Sequence, residues 1–259
     1  MVRYRTALAV SLSAASLVAA APAWAGPTTY QGEDIMTTTA SPHPLSAAAA
    51  AAFDAAVAGL GGGATTVTFE GAPLGAFSSL ADALGNTVSG ADYLGNNQTI
   101  RNTSNFPSGP TLDGYNTTSG GAKFIEVQGG TLTFTFISPV YAFGAYFSGV
   151  QNFFNTTVSF NDGTSQSFVI PNAGTSPSVG ALTFFGFTDA GASISSITIN
   201  AGNAQTGADF LGVDDVRFAV RATAGVPEPG TWAMLMLGFG MTGLALRRRS
   251  KIATRVRFA

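Results

Sequence analysis

The 259-residue chain has no cysteine and is 46% hydrophobic with only 10% charged residues, which excludes disulfide and thiolate chemistry. Four of the 12 basic residues and 13 of the 14 acidic ones lie between residues 26 and 226, so this body carries nine more negative than positive charges. Such a body has no electrostatic route to a phosphate backbone, and nucleic-acid binding is excluded.

Arg3 and Arg5, the apolar run Ala7 to Ala21 and Ala23-Trp24-Ala25 predict a secretory signal peptide over 1–25, cut after Ala25. Residues 26–44 read as a polar, loosely ordered lead-in holding the single histidine, His43. An Ala-rich helix and Gly turn follow over 45–63. Pro44 starts the helix, Leu45, Ala49, Phe53, Ala56, Val57 and Leu60 share one face, and Gly61-Gly62-Gly63 ends it. This face is expected to pack against the edge of a sheet.

From Thr65 the apolar period becomes two, and 64–222 reads as one β domain. Val67 and Phe69, Leu132 with Phe134 and Phe136, Val158 and Phe160, and Val216 with Phe218 and Val220 each alternate with polar or small residues, as half-buried strands do. Further strands fit Lys123–Gln128, Val140–Phe147, Ser165–Ile170, Leu182–Phe187 and Ile194–Asn200, and Asn161-Asp162-Gly163 predicts a two-residue hairpin turn. Gly71 to Gly121 reads as long loops. Many short strands in one domain predict an all-β fold, a β-sandwich of jelly-roll type.

Strand parity puts Asp214 on the inner face with Val216, and Asp215 on the outer face with Arg217. Glu70, just beyond Phe69, joins them as a candidate calcium set, since oxygen-only ligation suits that ion. The plainer reading has these carboxylates capping backbone amides and pairing with Arg217. Tyr93, Phe106 and Tyr115 sit among asparagines in the loop region and form a candidate sugar platform; they equally suit pins that hold loops to the sandwich. Thr131, Thr133 and Thr135 line one strand, and a single strand of threonines is an ordinary wet sheet face, which argues against ice binding. No nucleophile elbow or usable histidine accompanies these residues, and the body is expected not to be an enzyme.

The C-terminus has its own order of elements. Residues 223–230 form a linker carrying Pro227-Glu228-Pro229, 231–246 are mostly apolar, and 247–259 hold six basic residues. As a helix, 231–246 spans roughly 24 Å against a hydrocarbon core of roughly 30 Å. It therefore reads as a short transmembrane helix with its basic end in the cytoplasm. Gly238, Gly240 and Gly243 spell a dinucleotide fingerprint, but no βαβ unit surrounds them.

The triplet, Trp232-Ala233, Gly238, Gly240, Gly243 and Arg247-Arg248-Arg249 closely resemble the PEP-CTERM sorting signal, in its variant with tryptophan and alanine after the triplet. That resemblance implies processing by an exosortase near the triplet, a precursor held transiently in the inner membrane, and a mature form at the cell surface or outside it. TVTFEG, FGAYFSG, SFNDGTSQSF, FFGFTD and FLGVDDVRF are similar in order to jelly-roll domains that accompany this signal. Together they imply an exported, non-enzymatic surface or matrix protein associated with extracellular polysaccharide. The alternative is a carbohydrate-binding module with a specific glycan ligand and a structural calcium.

Overall fold

The computed structural model describes residues 26–35, 43–102, 113–150, 157–161, 165–170, 181–203, 207–220 and 229–249. The signal-peptide segment lies outside them, as do the turn residues 162–164. The chain opens with β1 (Thr28–Ile35) and α1 (Pro44–Gly59), followed by β2 (Thr65–Val67), β3 (Gly75–Ala76), β4 (Leu80–Ala81), β5 (Thr87–Ala91) and β6 (Thr99–Asn102). Next come β7 (Lys123–Gln128), β8 (Thr131–Val150), β9 (Thr157–Asn161), β10 (Ser165–Val169), β11 (Ala181–Thr188) and β12 (Ile194–Asn200). The pair β13 (Gly202–Asn203) and β14 (Gly207–Ala208), the long β15 (Phe210–Val220) and α2 (Pro229–Arg249) complete it.

All pairings are antiparallel, and β8 belongs to both halves of the sheet. Its first half pairs with β5 on one side and β12 on the other, in the order β10-β9-β12-β8-β5-β4. Its second half lies between β11 and β15, with β1 beyond β11 and β7, β6 and β3 beyond β15. Between the halves the register with β12 jumps from Thr135↔Ser196 to Val140↔Ile194. The residues left over, including Pro139, bend the strand from one sheet into the other.

The two sheets close on a core of phenylalanines. Phe160 of β9 stacks on Phe187 of β11 at 4.7 Å between centroids, and Phe136 of β8 meets Phe218 of β15 at 5.2 Å. Residues from both sheets form this one cluster, so the architecture is a β-sandwich, as expected. On its outer side the first sheet is polar: Thr135 lies between Thr87 and Ser196, and Thr131 between Ala91 and Asn200.

A third layer covers the outer side of the second sheet. Ser46, Ala49, Ala50, Phe53 and Val57 are the buried stripe of α1, packed on Tyr141, Tyr146, Leu182 and Phe184. Leu45 and Leu60, expected on that stripe, are exposed. The paired glycines Gly144 and Gly186 make room for this layer. A Cβ on Gly186 would stand 3.0 Å from the Phe53 ring, and one on Gly144 2.8 Å from the Phe184 ring.

Several expectations change. Residues 28–35 form a full strand paired along the whole of β11, not a loose lead-in. Their sequence carries little apolar alternation, and the order comes from the partner strand. Asp34 ends this strand under the start of α1, where its carboxylate accepts from Leu45 N (3.1 Å), Ser46 N (2.8 Å) and Ser46 Oγ (2.8 Å). The helix is thus capped from a neighbouring strand, with a negative charge at its positive end. The expected loop region holds four short strands, β3 to β6. β9 and β10 pair as a hairpin with Asn161 opposite Ser165, and the expected turn at Asp162-Gly163 lies outside the described residues. Val220, expected inside, is 44% exposed, because the register with β8 shifts at Ala219.

α2 covers the expected 231–246 segment as helix. Yet among the described residues no helix is long and apolar enough to cross a membrane. Its four glycines, with Thr231 and Thr242, dilute the apolar run, and Thr242 Oγ1 donates back to Gly238 O at 2.8 Å.

Candidate functional site

The three candidate carboxylates converge on one loop, residues 113–122, which crosses the outer side of the second sheet. Gly114 (φ +85°) brings it so close to β15 that a Cβ there would stand 2.0 Å from Gly212 N. Ser148 then fixes Tyr115: its hydroxyl accepts from Tyr115 N and donates to Tyr115 O, both at 2.8 Å. Asp214 Oδ2 accepts from Thr117 N at 2.8 Å and Thr118 N at 3.2 Å. Asp215 Oδ1 accepts from Thr118 Oγ1 at 2.8 Å. At the far end of the loop, Glu70 Oε1 accepts from Ala122 N and Lys123 N, both at 2.9 Å.

The expected parity fails at Asp215. That residue has φ +46°, and the register with β8 runs from Asp214↔Tyr146 to Arg217↔Gly144, one extra residue on β15. This is a β-bulge. Val213 and Val216 consequently both face the main core, and Asp214 faces the loop instead. It is fully buried all the same. Burial, with Asp215 nearby, holds its carboxyl up at about 7 despite the amide of Thr117. Its Oδ1 is buried with no hydrogen-bond partner.

This geometry is an amide clamp, the plainer of the two readings. The oxygen-only donors suit calcium chemically, but among the described residues no three His, Asp or Glu side chains group closely enough to hold a metal ion. Arg217 does not pair with these carboxylates. Its Nε lies 3.7 Å from Asp54 Oδ1 of α1, and its guanidinium stands 5.3 Å from the ring centroids of both Tyr146 and Phe184. Position 217 alternates with core-facing Val216 and Phe218 and so falls on the outer, α1 side, as parity predicts.

The proposed sugar platform separates. Tyr115 is 3% exposed and packs in the cluster beneath α1, so its ring offers no face to a ligand. Burial, and the charge of Asp34, push its phenol well above the ordinary range. Tyr93 is half-buried and leans on Phe210 at 5.9 Å. Phe106 lies outside the described residues.

Tyr93 sits in a turn with a double. Ala-Asp-x-Leu-Gly-Asn occurs at 81–86 and again at 91–96. In each copy the Asp Oδ1 accepts from the Leu and Asn amides, at 2.8 and 2.9 Å for Asp82 and at 2.8 Å twice for Asp92. Each copy also has its glycine at φ +88° and its leucine exposed at the tip. The signal for these turns is the repeat itself, a six-residue pattern recurring at a spacing of ten.

A cavity of about 580 Å³ opens between β2 and the β4–β5 hairpin, lined by Phe69, Leu80, Phe134, Phe136 and Phe218. Of the candidate residues it touches only Glu70.

In the sorting segment Pro227 and Glu228 lie outside the described residues. Pro229, Trp232, Ala233, Gly238, Gly240, Gly243, Arg247, Arg248 and Arg249 all fall within α2. The side chains described there, Met234 to Leu244 and Arg247, are all exposed.

The sequence matches the family model described as a PEP-CTERM protein-sorting motif over residues 225–249. No curated protein matches it. Among solved structures it is similar to the K2 cleaved adhesin domain of Lys-gingipain, at 16% identity and TM-score 0.38, over 60% of this chain and 97% of that one. It is also similar to TmCBM61, solved in complex with β-1,4-galactotriose, at 14% identity and TM-score 0.26, over 60% of this chain and 94% of that one. The motif follows the last strand of the sandwich and marks an exported protein that is sorted from its C-terminus: this chain is a β-sandwich protein carrying a PEP-CTERM sorting motif.

Proposed function

We propose that the sandwich is a non-enzymatic component of the extracellular polysaccharide layer, delivered by its C-terminal segment. The observation that carries this reading is the sorting motif at 225–249. In this reading α2 is a temporary anchor in the inner membrane. Its exposed apolar surface enters the bilayer with local thinning, and Arg247 and the basic residues after it remain in the cytoplasm. An exosortase-type protease recognises the Pro227-Glu228-Pro229 region and removes the handle. The clamp carboxylates support the absence of catalysis, since Glu70 and Asp214 each commit an oxygen to backbone amides.

The experiment is replacement of Pro227, Glu228 and Pro229 by alanine in a host that carries the sorting machinery, followed by fractionation. The variant is expected to accumulate uncut in the inner membrane while the parent reaches the surface. Equal delivery of both would overturn the reading.

A second reading, a glycan-binding module with structural calcium, is favoured by the unpartnered buried oxygen of Asp214. Asp214 and Asp215 would hold the ion beside the Thr117 and Thr118 hydroxyls. Calcium would then raise the melting temperature and a chelator lower it; identical melting in both conditions removes the ion from the account.

A further inference from the structure

The threonines of β8 do not stand alone. Across the outer side of the first sheet, Thr133 is opposite Ser89 on one side and Thr198 on the other, Thr198 is opposite Ser159, and Ser159 is opposite Ser167. Five strands thus carry one straight rank of hydroxyls. Flanking ranks run Thr87–Thr135–Ser196 on one side and Ala91–Thr131–Asn200–Thr157–Val169 on the other, the second polar only between its ends, all set by the same register. Sheet geometry spaces them about 4.8 Å across the strands and about 7 Å along them.

The alternate residues of these strands, Leu132, Phe134, Ile197, Ile199, Val158 and Phe160, are buried in the main core, which fixes the ranks as outward-facing. No ionisable side chain occurs among the described positions of this face, in a body that is otherwise strongly acidic. Helix α1 covers the corresponding side of the second sheet, and no described helix covers this one.

We propose that this face binds a neutral polysaccharide laid across the strands; the proposal rests on the matrix reading above. Thr133 and Thr198 share one hydroxyl–hydroxyl bond at 3.0 Å and Ser159 Oγ donates to Thr198 O at 3.3 Å, which orients the rank. Hydroxyl oxygens accept as well as donate, so these groups still offer lone pairs to sugar hydroxyls. A neutral polyol brings no charge to desolvate against a charge-free surface. A polyanion would meet a body whose described cations are engaged: Arg101 with Glu126, Lys123 with Ala72 O, and Arg217 with Asp54. The face carries no aromatic ring, so it reads hydroxyl edges and does not stack on pyranose faces. Three of its five central residues are serines, which lack the methyl that would cage water, and this favours a polyol over ice.

The test uses the full chain in a polyoxyethylene detergent, which has no sugar headgroup, sedimented with amorphous cellulose, a neutral galactan or an alginate gel. Binding to at least one neutral polysaccharide and none to alginate is expected. The double substitution Thr133→Val with Thr198→Val, and separately Ser159→Lys, should weaken binding about tenfold or more, with the melting temperature held within a few degrees. Binding retained by both variants but lost in Tyr93→Ala overturns this surface and leaves the matrix reading standing. Preference for alginate overturns the proposal. So does ice shaping, or a dimer dissolved by Ser159→Lys, in a protein that binds none of the three polysaccharides.

Discussion

The two halves of β8 share one strand and live in different surroundings. From Thr131 to Phe136 the residues alternate between the core and an uncovered hydroxyl face. From Val140 to Val150 every residue is buried, one side by the phenylalanine core and the other by the layer that α1 and the 113–122 loop add. The strand's own sequence supplies only part of this difference. Tyr141 and Tyr146 are half-polar side chains that become core because Phe53 and its neighbours are laid over them. A sheet's outer side is therefore made interior or surface by what the rest of the chain places on it.

The largest expected effect breaks that cover. Phe53 is wholly buried, with its ring 5.9 Å from Tyr30 and 5.8 Å from Phe184. Phe53→Ala should cost about 3–5 kcal/mol in urea denaturation, whereas Thr133→Ala on the uncovered half should cost under about 1 kcal/mol. Equal losses would erase the distinction.

Next is pH. Asp214 is held up at about 7 by burial beneath the loop, while in the unfolded chain it titrates near about 4. Between those values the folded protein keeps a proton that the unfolded chain has released. The contribution to stability is fully present below about pH 4 and is lost as pH rises through about 7. Asp214→Asn should flatten the dependence, removing a slope of roughly 2–4 kcal/mol between urea midpoints at the two ends of that window. An unchanged slope would show that the covered side does not hold this proton.

Asp34→Ala removes the cap that β1 gives α1 and should cost about 1–2 kcal/mol. Helical circular dichroism should then melt before the sheet signal. The smallest effect compares the twin turns. Gly85→Ala and Gly95→Ala each force a side chain into a left-handed backbone at about 1 kcal/mol. Gly85→Ala should cost more, because its Cβ would stand 2.6 Å from Ile137 Cδ1 while nothing lies within 4 Å at Gly95.

Where a segment's own pattern determined its environment, the sequence was legible. β7 and β12 match their expected bounds, since their β-branched and aromatic residues favour extended backbone. The sorting segment was legible because its elements are local and ordered. β1 was not, because TTYQGEDI has no apolar face and is ordered by β11. Two expected strands proved to be one, since a chain can turn a corner at Pro139 without leaving the ladder. The site failed at single backbone angles. Asp215 at φ +46° reversed the facing of Asp214, and Gly114 at φ +85° folded Tyr115 inward. Neither torsion leaves a periodic trace. The hydroxyl face is illegible in the sequence for another reason: each strand holds at most three of its residues, and only register joins them.

The place of β15 in the sheet has a consequence for timing. It is the last strand along the chain and yet lies between β8 and β7, near the middle of the order. β1, the first strand, must likewise wait for β11. Assembly that depends on such distant partners is slow and cannot finish on a partial chain. If the chain is exported as proposed, the sandwich stays open until Val220, the end of β15, has emerged. On that proposal, closure and the arrival of the sorting segment at the bilayer coincide, and the body offered to the processing protease is one that has only just become able to fold.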